Sequence, residues 1–228
     1  MAPRPFVFSN TAISVDGKIS TAARDRLSFG STEDKCRMNA LRARADAVLV
    51  GGNTMRTWGL PLVEDHAQLD APPARTRPLI NAVLTRKGLG AMSARRFPDP
   101  RVELLVLSGE DIDRRAHAER LGATVLTTAT PSVGWAIDAL AARGCRSVLV
   151  EGGGDLLAQL LAEDLLDELH VTLCPLIVGG RGAPTAVDGA GFPAEALPRL
   201  RLRSCEPVGD ELYLRYALAR GGPDGATG

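Results

Sequence analysis

The chain carries no excess of either charge. Its 228 residues include 27 Lys plus Arg and 27 Asp plus Glu. A protein that holds long nucleic acids by their phosphates needs surplus basic residues, so that class is excluded. A local basic pocket for a small anion is not excluded. No run approaches about 18 consecutive apolar residues, the length a spanning helix requires. The first residues, Met1-Ala2-Pro3-Arg4-Pro5, lead straight into a strand-like segment, with no apolar stretch of signal-peptide type. Cysteine is sparse: Cys36, Cys145, Cys174 and Cys205 lie far apart, with no C-x-x-C, and His66, His117 and His170 are not beside them. Zinc-site spacing is therefore absent, and the cysteines read as reduced, mostly buried thiols of a cytoplasmic protein. Disorder as the main state is excluded too, because 45% of the residues are hydrophobic.

What is present is an alternation of strand and helix signals. Phe6 to Ser14 (FVFSNTAIS) reads as a strand, followed by a turn at Asp16-Gly17-Lys18. Ser31 or Thr32 can cap a helix that runs to about Ala45, with Glu33 and Asp34 in its first turn. Ala47-Val48-Leu49-Val50 and Ser147-Val148-Leu149-Val150 are short apolar runs of the kind buried on both faces of a sheet. Strands are expected at 79–84, 102–107, 124–127 and 168–173. Helices are expected at 110–121, ending at Gly122, at 132–143, ending at Gly144, and from the Gly152 cluster to about Asp164. A hairpin around Gly209-Asp210 joins 200–206 to 211–218. The pattern implies an α/β fold with a mostly parallel central sheet, helices on both faces and a C-terminal antiparallel hairpin. No linker divides the chain, so residues 1–218 read as one domain and 219–228 as a flexible tail.

In such sheets ligands bind at the carboxyl ends of the strands, and two of those ends carry glycine clusters. The sharper is Glu151-Gly152-Gly153-Gly154-Asp155-Leu156. Consecutive glycines let their N–H groups form an anion nest, and the following helix points its positive end there. A pyrophosphate suits this arrangement; so, on the glycines alone, does a plain tight turn. The run is neither a Walker A loop nor a G-x-G-x-x-G fingerprint. In Gly51-Gly52-Asn53-Thr54, the Thr54 hydroxyl suits either a phosphate or a helix cap. The third cluster, Gly179-Gly180-Arg181-Gly182, reads as a turn. Asp16 and Lys18 suit a turn with a surface ion pair, and Asn10, inside an apolar strand, needs partners from backbone or ligand. Arg42 and Arg44 sit on a charged helix whose default is a solvated face, and His170 reads as a structural histidine.

Taken in order, these motifs resemble the riboflavin-biosynthesis pyrimidine reductases. Ser14-Val15-Asp16-Gly17-Lys18 is similar to their S-x-D-G-K turn, and Leu41-Arg42…Asp46-Ala47-Val48-Leu49-Val50-Gly51 to their L-R-x-x-x-D-x-[IV]-x-V-G segment. Asn53-Thr54 falls at their G-T. Glu151-Gly152-Gly153, Asp167-Glu168-Leu169, Pro175 and Gly179-Gly180 look like E-G-G…D-E-[LV]…P…G-G. Ala183-Pro184-Thr185 and Asp188-Gly189 look closest to the free-standing archaeal-type members. The match spans nearly the whole chain.

The resemblance implies a dihydrofolate-reductase-like fold, a homodimer, and reduction of a ribosylamino-pyrimidine 5′-phosphate by NADPH. The hydride would go from nicotinamide C4 to an imine at C1′ of the opened ribose. No H-x-E…P-C-x-x-C deaminase signature accompanies it, so the expectation is a reductase alone. Carried over by position, Thr54, Gly152, Gly153, Gly154, Asp155 and Leu156 contact the cofactor. Thr85 and Arg86 fall where the ribose 2′-phosphate is held, and Ser28 and Trp58 at further cofactor-contacting positions. Asn10, Arg42 and Lys18 are substrate-side, Glu151 orients or protonates the substrate, and Asp16 is a weaker catalytic candidate. No metal is expected. The chain departs from the family pattern G-T-x-x-x-D-x-P-x-L by placing Trp58 where the Asp belongs. That change leaves open a dihydrofolate-reductase-like enzyme acting on a pterin or another imine.

Overall fold

A computed structural model describes residues 3–25, 27–59, 62–69, 75–89 and 99–219. Among them, nine strands form one sheet in the order β5-β4-β3-β2-β6-β1-β7-β9-β8. The strands are β1 (Phe6–Ser14), β2 (Ala47–Gly51), β3 (Leu79–Thr85), β4 (Val102–Ser108), β5 (Thr124–Thr127), β6 (Ser147–Val150), β7 (Glu168–Cys174), β8 (Leu200–Val208) and β9 (Glu211–Leu218). All pairings from β5 across to β7 are parallel, whereas β7–β9 and β9–β8 are antiparallel. The helices are α1 (Thr32–Ala43), α2 (Gly52–Trp58), α3 (Ile112–Arg120), α4 (Val133–Ala142) and α5 (Gly154–Ala162).

The sheet is mostly parallel because its central strands are apolar on both faces. Every side chain of Val48, Leu49, Val50, Val148 and Leu149 is fully buried. Alternate residues then feed two cores. Val7, Leu49, Val148 and Val150 pack with α4 and α5 on one face. Phe8, Val48, Val50 and Leu149 pack with Leu41 of α1, Met55 of α2 and Ala118 of α3 on the other. Helices therefore cover both faces, as the strand–helix alternation predicts. Ser31 caps α1 by accepting from the Asp34 N–H at 3.1 Å, and Ser132 caps α4 by accepting from the Trp135 N–H at 3.1 Å.

The sequence-based boundaries fall within two or three residues of the elements. Arg42 differs from expectation. Its helix face is buried rather than solvated, and the side chain has a carboxylate partner, described below. Arg44, the C-cap residue of α1, is exposed. The four cysteines are free; Cys145 and Cys174 are buried, Cys36 is half-buried and Cys205 is exposed on the edge strand β8. Desolvation pushes the Cys145 thiol up to about 11 and the Cys174 thiol up to about 12, which keeps both inert. His170 is structural. Its Nε2 lies 3.2 Å from Glu168 and its ring meets Phe8 edge-on, while burial lowers its pKa. The expected tail beyond residue 219 lies outside the described residues, as does Pro61 of the segment after Trp58.

Candidate active site

The carboxyl ends of β2, β3 and β6 meet around a cavity of about 330 Å³. Three short segments build it. The first is the turn from β6 into α5. Gly152 and Gly153 have φ of +109° and +90°, a region that favours glycine. Gly154 is required for space instead, since a Cβ there would sit 2.4 Å from the Thr185 carbonyl oxygen. The turn is thus pressed against the Thr185–Asp188 loop. That loop is itself closed by Thr185, whose N–H and hydroxyl both donate to Asp188 Oδ1. The cluster at Gly179-Gly180, read as a turn, leads into the strut that supports the glycines.

The second segment is the start of α2. A Cβ on Gly52 would meet the Thr85 hydroxyl at 2.4 Å, so the ends of β2 and β3 approach closely only with glycine there. Thr54, on the third residue of α2, sets its hydroxyl opposite Gly152 and lines the cavity. The third segment is the end of β3. Thr85 is buried, donates to the Gly88 carbonyl at 3.1 Å and accepts from the Lys87 N–H at 3.2 Å. Arg86 is thereby turned into the cavity wall. Gly153, Asp155 and Leu156 complete it from α5.

A smaller pocket adjoins through the shared Gly153 and reaches β1 at Ser9, Asn10 and Thr11. Ser9 Oγ and Asn10 Oδ1 are both buried without a hydrogen-bond partner among the described residues. Arg42, and Glu151 at the end of β6, line neither cavity; they form a bidentate pair, Nε–Oε1 at 2.7 Å and Nη2–Oε2 at 2.6 Å, with side chains only 11% and 9% exposed. Burial works against the Arg42 charge, but the carboxylate outweighs it and holds the guanidinium above its ordinary value. Both Glu151 oxygens are engaged, which suits an orienting carboxylate better than a proton donor.

Asp16 serves a different purpose. It accepts from the Ser14 hydroxyl at 2.7 Å and from the N–H groups of Val178 and Gly179 at 3.0 and 2.8 Å. These bonds, Ser14's first, lower its pKa to about 2. It clamps two loops as a permanent anion, and it is not a group that delivers a proton near neutral pH. Lys18 is held at the same edge, with its Nζ donating to the Ala183 carbonyl at 3.3 Å. Ser28 is exposed on the loop before α1 and lines neither cavity, nor does Trp58, which is 37% exposed at the end of α2. Sequence reasoning missed Arg56, Lys87 and Gln159, which also wall the larger cavity. Lys87 adjoins Arg86, and Gln159 stands one turn beyond Asp155 on α5, so helical spacing was the signal for the latter.

Comparison with known proteins bears on the family and the fold. The model of the RibD C-terminal domain matches residues 5–214. The chain belongs to the RibD C-terminal domain family. Among curated relatives, the 2,5-diamino-6-ribosylamino-4(3H)-pyrimidinone 5′-phosphate reductase of Methanothermobacter thermautotrophicus is 32% identical, covering 94% of this chain and 99% of that protein. The reductase of the same name from Archaeoglobus fulgidus is 30% identical over 91% of this chain and 95% of its own length. The RibD protein of a Synechocystis strain is 32% identical, but this chain spans only 57% of it. The fold matches solved structures. A pyrimidine reductase-like protein from Corynebacterium diphtheriae has a TM-score of 0.71 at 21% identity, over 95% of this chain and 93% of that one. Acinetobacter baumannii RibD has a TM-score of 0.73 at 20% identity, over 95% of this chain and 58% of that one. The RibD C-terminal domain thus supplies the frame on which the glycine turn, Thr54 and Arg86 converge.

Proposed function

We propose that this RibD C-terminal domain reduces the ribosyl side chain of a ribosylamino-pyrimidine 5′-phosphate to the ribitylamino form, using NADPH. The observation that carries this reading is the joined pair of cavities at the carboxyl edge. One is walled in part by a turn whose Gly152 and Gly153 adopt positive φ, and the other has orphaned polar atoms of Ser9 and Asn10. That turn fits a pyrophosphate, offering backbone N–H groups at the positive end of the nine-residue helix α5. Thr54, Gly152, Gly153, Gly154, Asp155 and Leu156 would hold the cofactor. Thr85 and Arg86 would face its 2′-phosphate, whose charge a guanidinium selects. The bound cofactor supplies the hydride.

The chain's own residues provide orientation and electrostatics. Asn10 presents an acceptor oxygen to the substrate pocket. Glu151, fixed by Arg42, sets a negative charge beside the same strand end, where it stabilises a protonated imine nitrogen at C1′ and draws the substrate into line. The proton itself comes from solvent, since Glu151 is engaged by Arg42 and Asp16 stays ionised. Lys18 lies at the edge where a substrate phosphate would be met.

The names of the two archaeal relatives support the 2,5-diamino substrate, reduced before deamination. The test is NADPH oxidation with that substrate and with the deaminated 5-amino-2,4-dioxo compound. Turnover of the first well above the second supports the reading, and no turnover of either overturns it. A folded Glu151→Gln variant is expected to keep NADPH binding and lose most turnover; near-normal turnover would remove Glu151 from the mechanism. Trp58 in place of the family's Asp favours a second reading, a pterin or other imine substrate, and dihydrofolate assayed side by side separates the two. The reading also makes the protein a cytoplasmic homodimer. Support for the dimer comes from β8, an edge strand whose Leu200 and Leu202 are 40% and 55% exposed, and sedimentation velocity tests it.

A further inference from the structure

The reading above leaves aside a cavity of about 650 Å³ at the opposite edge of the sheet. It opens at the amino ends of β2, β3, β4 and β6, across the sheet from the glycine turn. Five arginines line it, Arg44, Arg75, Arg77, Arg143 and Arg146, against two acids, Asp46 and Glu103.

The negative groups in its wall are already engaged. Asp46 Oδ2 accepts from the N–H of Arg146 at 2.7 Å and of Ser147 at 3.0 Å, and lies 3.2 Å from the Ser147 hydroxyl. Glu103 is paired with Arg143 at 2.8 Å. The last carbonyls of α1 and α4, the negative ends of those helix dipoles, are also covered. Arg75 donates to the Arg42 carbonyl at 2.9 Å, and Arg77 to the Arg143 carbonyl at 3.1 Å. Arg75 has one carboxylate near it, Glu64 at 3.4 Å. Arg44, Arg77 and Arg146 are exposed and have no carboxylate partner among the described residues. Arg44 is instead held with its guanidinium 5.9 Å over the Phe8 ring. Among the described residues the wall therefore carries net positive charge that no carboxylate neutralises, in a chain whose overall charge is zero.

We infer that this amino-edge cavity is a second anion site, separate from the carboxyl-edge cleft, that takes a small phosphate-bearing ligand in its arginine forks. A concave site of this volume suits a small molecule, and guanidinium groups bind phosphate oxygens in pairs. The inference stands apart from the proposed reductase activity, since no residue of the glycine turn enters it.

Isothermal titration with inorganic pyrophosphate tests it on three proteins. These are the wild type, Arg44→Ala/Arg146→Ala, and Arg86→Ala/Lys87→Ala, whose changes lie at the other edge. One binding component is expected to weaken by about tenfold or more in the first variant and to persist in the second. An Arg44→Lys/Arg146→Lys protein, which keeps the charge, should recover part of the affinity and so separates charge from misfolding. Adenosine diphosphate, titrated in parallel, identifies the source. Tighter binding than pyrophosphate assigns a nucleotide, and equal binding assigns the phosphate groups alone. The inference is overturned if pyrophosphate does not bind, if Arg44→Ala/Arg146→Ala leaves all binding unchanged, or if Arg86→Ala/Lys87→Ala abolishes all of it.

Discussion

The two ends of the parallel strands meet charge by different means. At the carboxyl edge the turns are glycine-rich, helix α5 begins there, and the groups that face a ligand are mainly backbone N–H with Thr54, Arg86 and Lys87 around them. At the amino edge the helices α1 and α4 end, so the backbone presents carbonyls, and arginines must both cap those carbonyls and supply any positive field. Parallel βα topology causes the asymmetry, because every helix on the sheet runs opposite to its strand. A backbone site is stiff and tolerates no side chain at its contact points. A side-chain site is softer, with its charge carried on long flexible stems. Substitutions at the two edges should therefore fail in different ways.

The largest effect is expected at the Arg42–Glu151 pair. Arg42→Ala leaves a buried carboxylate without its partner and should destabilise the fold by about 3–5 kcal/mol, read by urea denaturation. A loss under about 1 kcal/mol would mean that the pair is solvated like the arginines of the other edge. Next is Gly154→Ala, which drives a Cβ into the Thr185 carbonyl and should cost about 1–3 kcal/mol as well as cofactor binding. Unchanged NADPH affinity in that variant would show that the turn yields, against the stiff backbone site described here. Arg86→Ala should act on binding alone, weakening NADPH by about tenfold while leaving NADH little changed. Equal losses for the two cofactors would detach Arg86 from the 2′-phosphate.

The smallest effect concerns the loop clamp at Asp16. Its folded pKa is depressed to about 2, so the clamp's contribution is full above the ordinary carboxylate range and is lost as the pH falls toward 2. Amide protection at Val178 and Gly179, taken relative to the intrinsic exchange rate at each pH, should fall over that window and stay high in neutral solution. Exchange already fast at neutral pH would show that the carboxylate does not hold the loop.

Much of the fold was legible because apolar runs and glycine breaks report burial and turns locally. The doubly apolar β2 and β6, the cap of α1, the stop of α4 at Gly144, and the hairpin at Gly209 all follow from short windows. The candidate site was legible in part. Gly152, Gly153, Gly154 and Thr54 stand out as residue types in strand-to-helix turns, and the structure places Thr54 and Gly153 with Arg86 in the larger cavity and Gly152, Gly153 and Gly154 in the smaller one. Arg42 was misread as solvated because helical charge patterning cannot show a carboxylate 109 residues away that only the fold brings to it. Ser28 and Trp58 were carried over by resemblance, and neither lines the described cavities.

The sequence by itself determined the strand–helix alternation, the burial of the central strands and the two glycine-rich turns, since each depends on neighbours along the chain. Tertiary structure alone decided which charges meet. It paired Arg42 with Glu151, assigned Asp16 to a loop clamp, and gathered arginines from three separate segments at the amino edge. A net charge of zero is a sum over residues, whereas an electrostatic field depends on distances, and only the folded chain sets those.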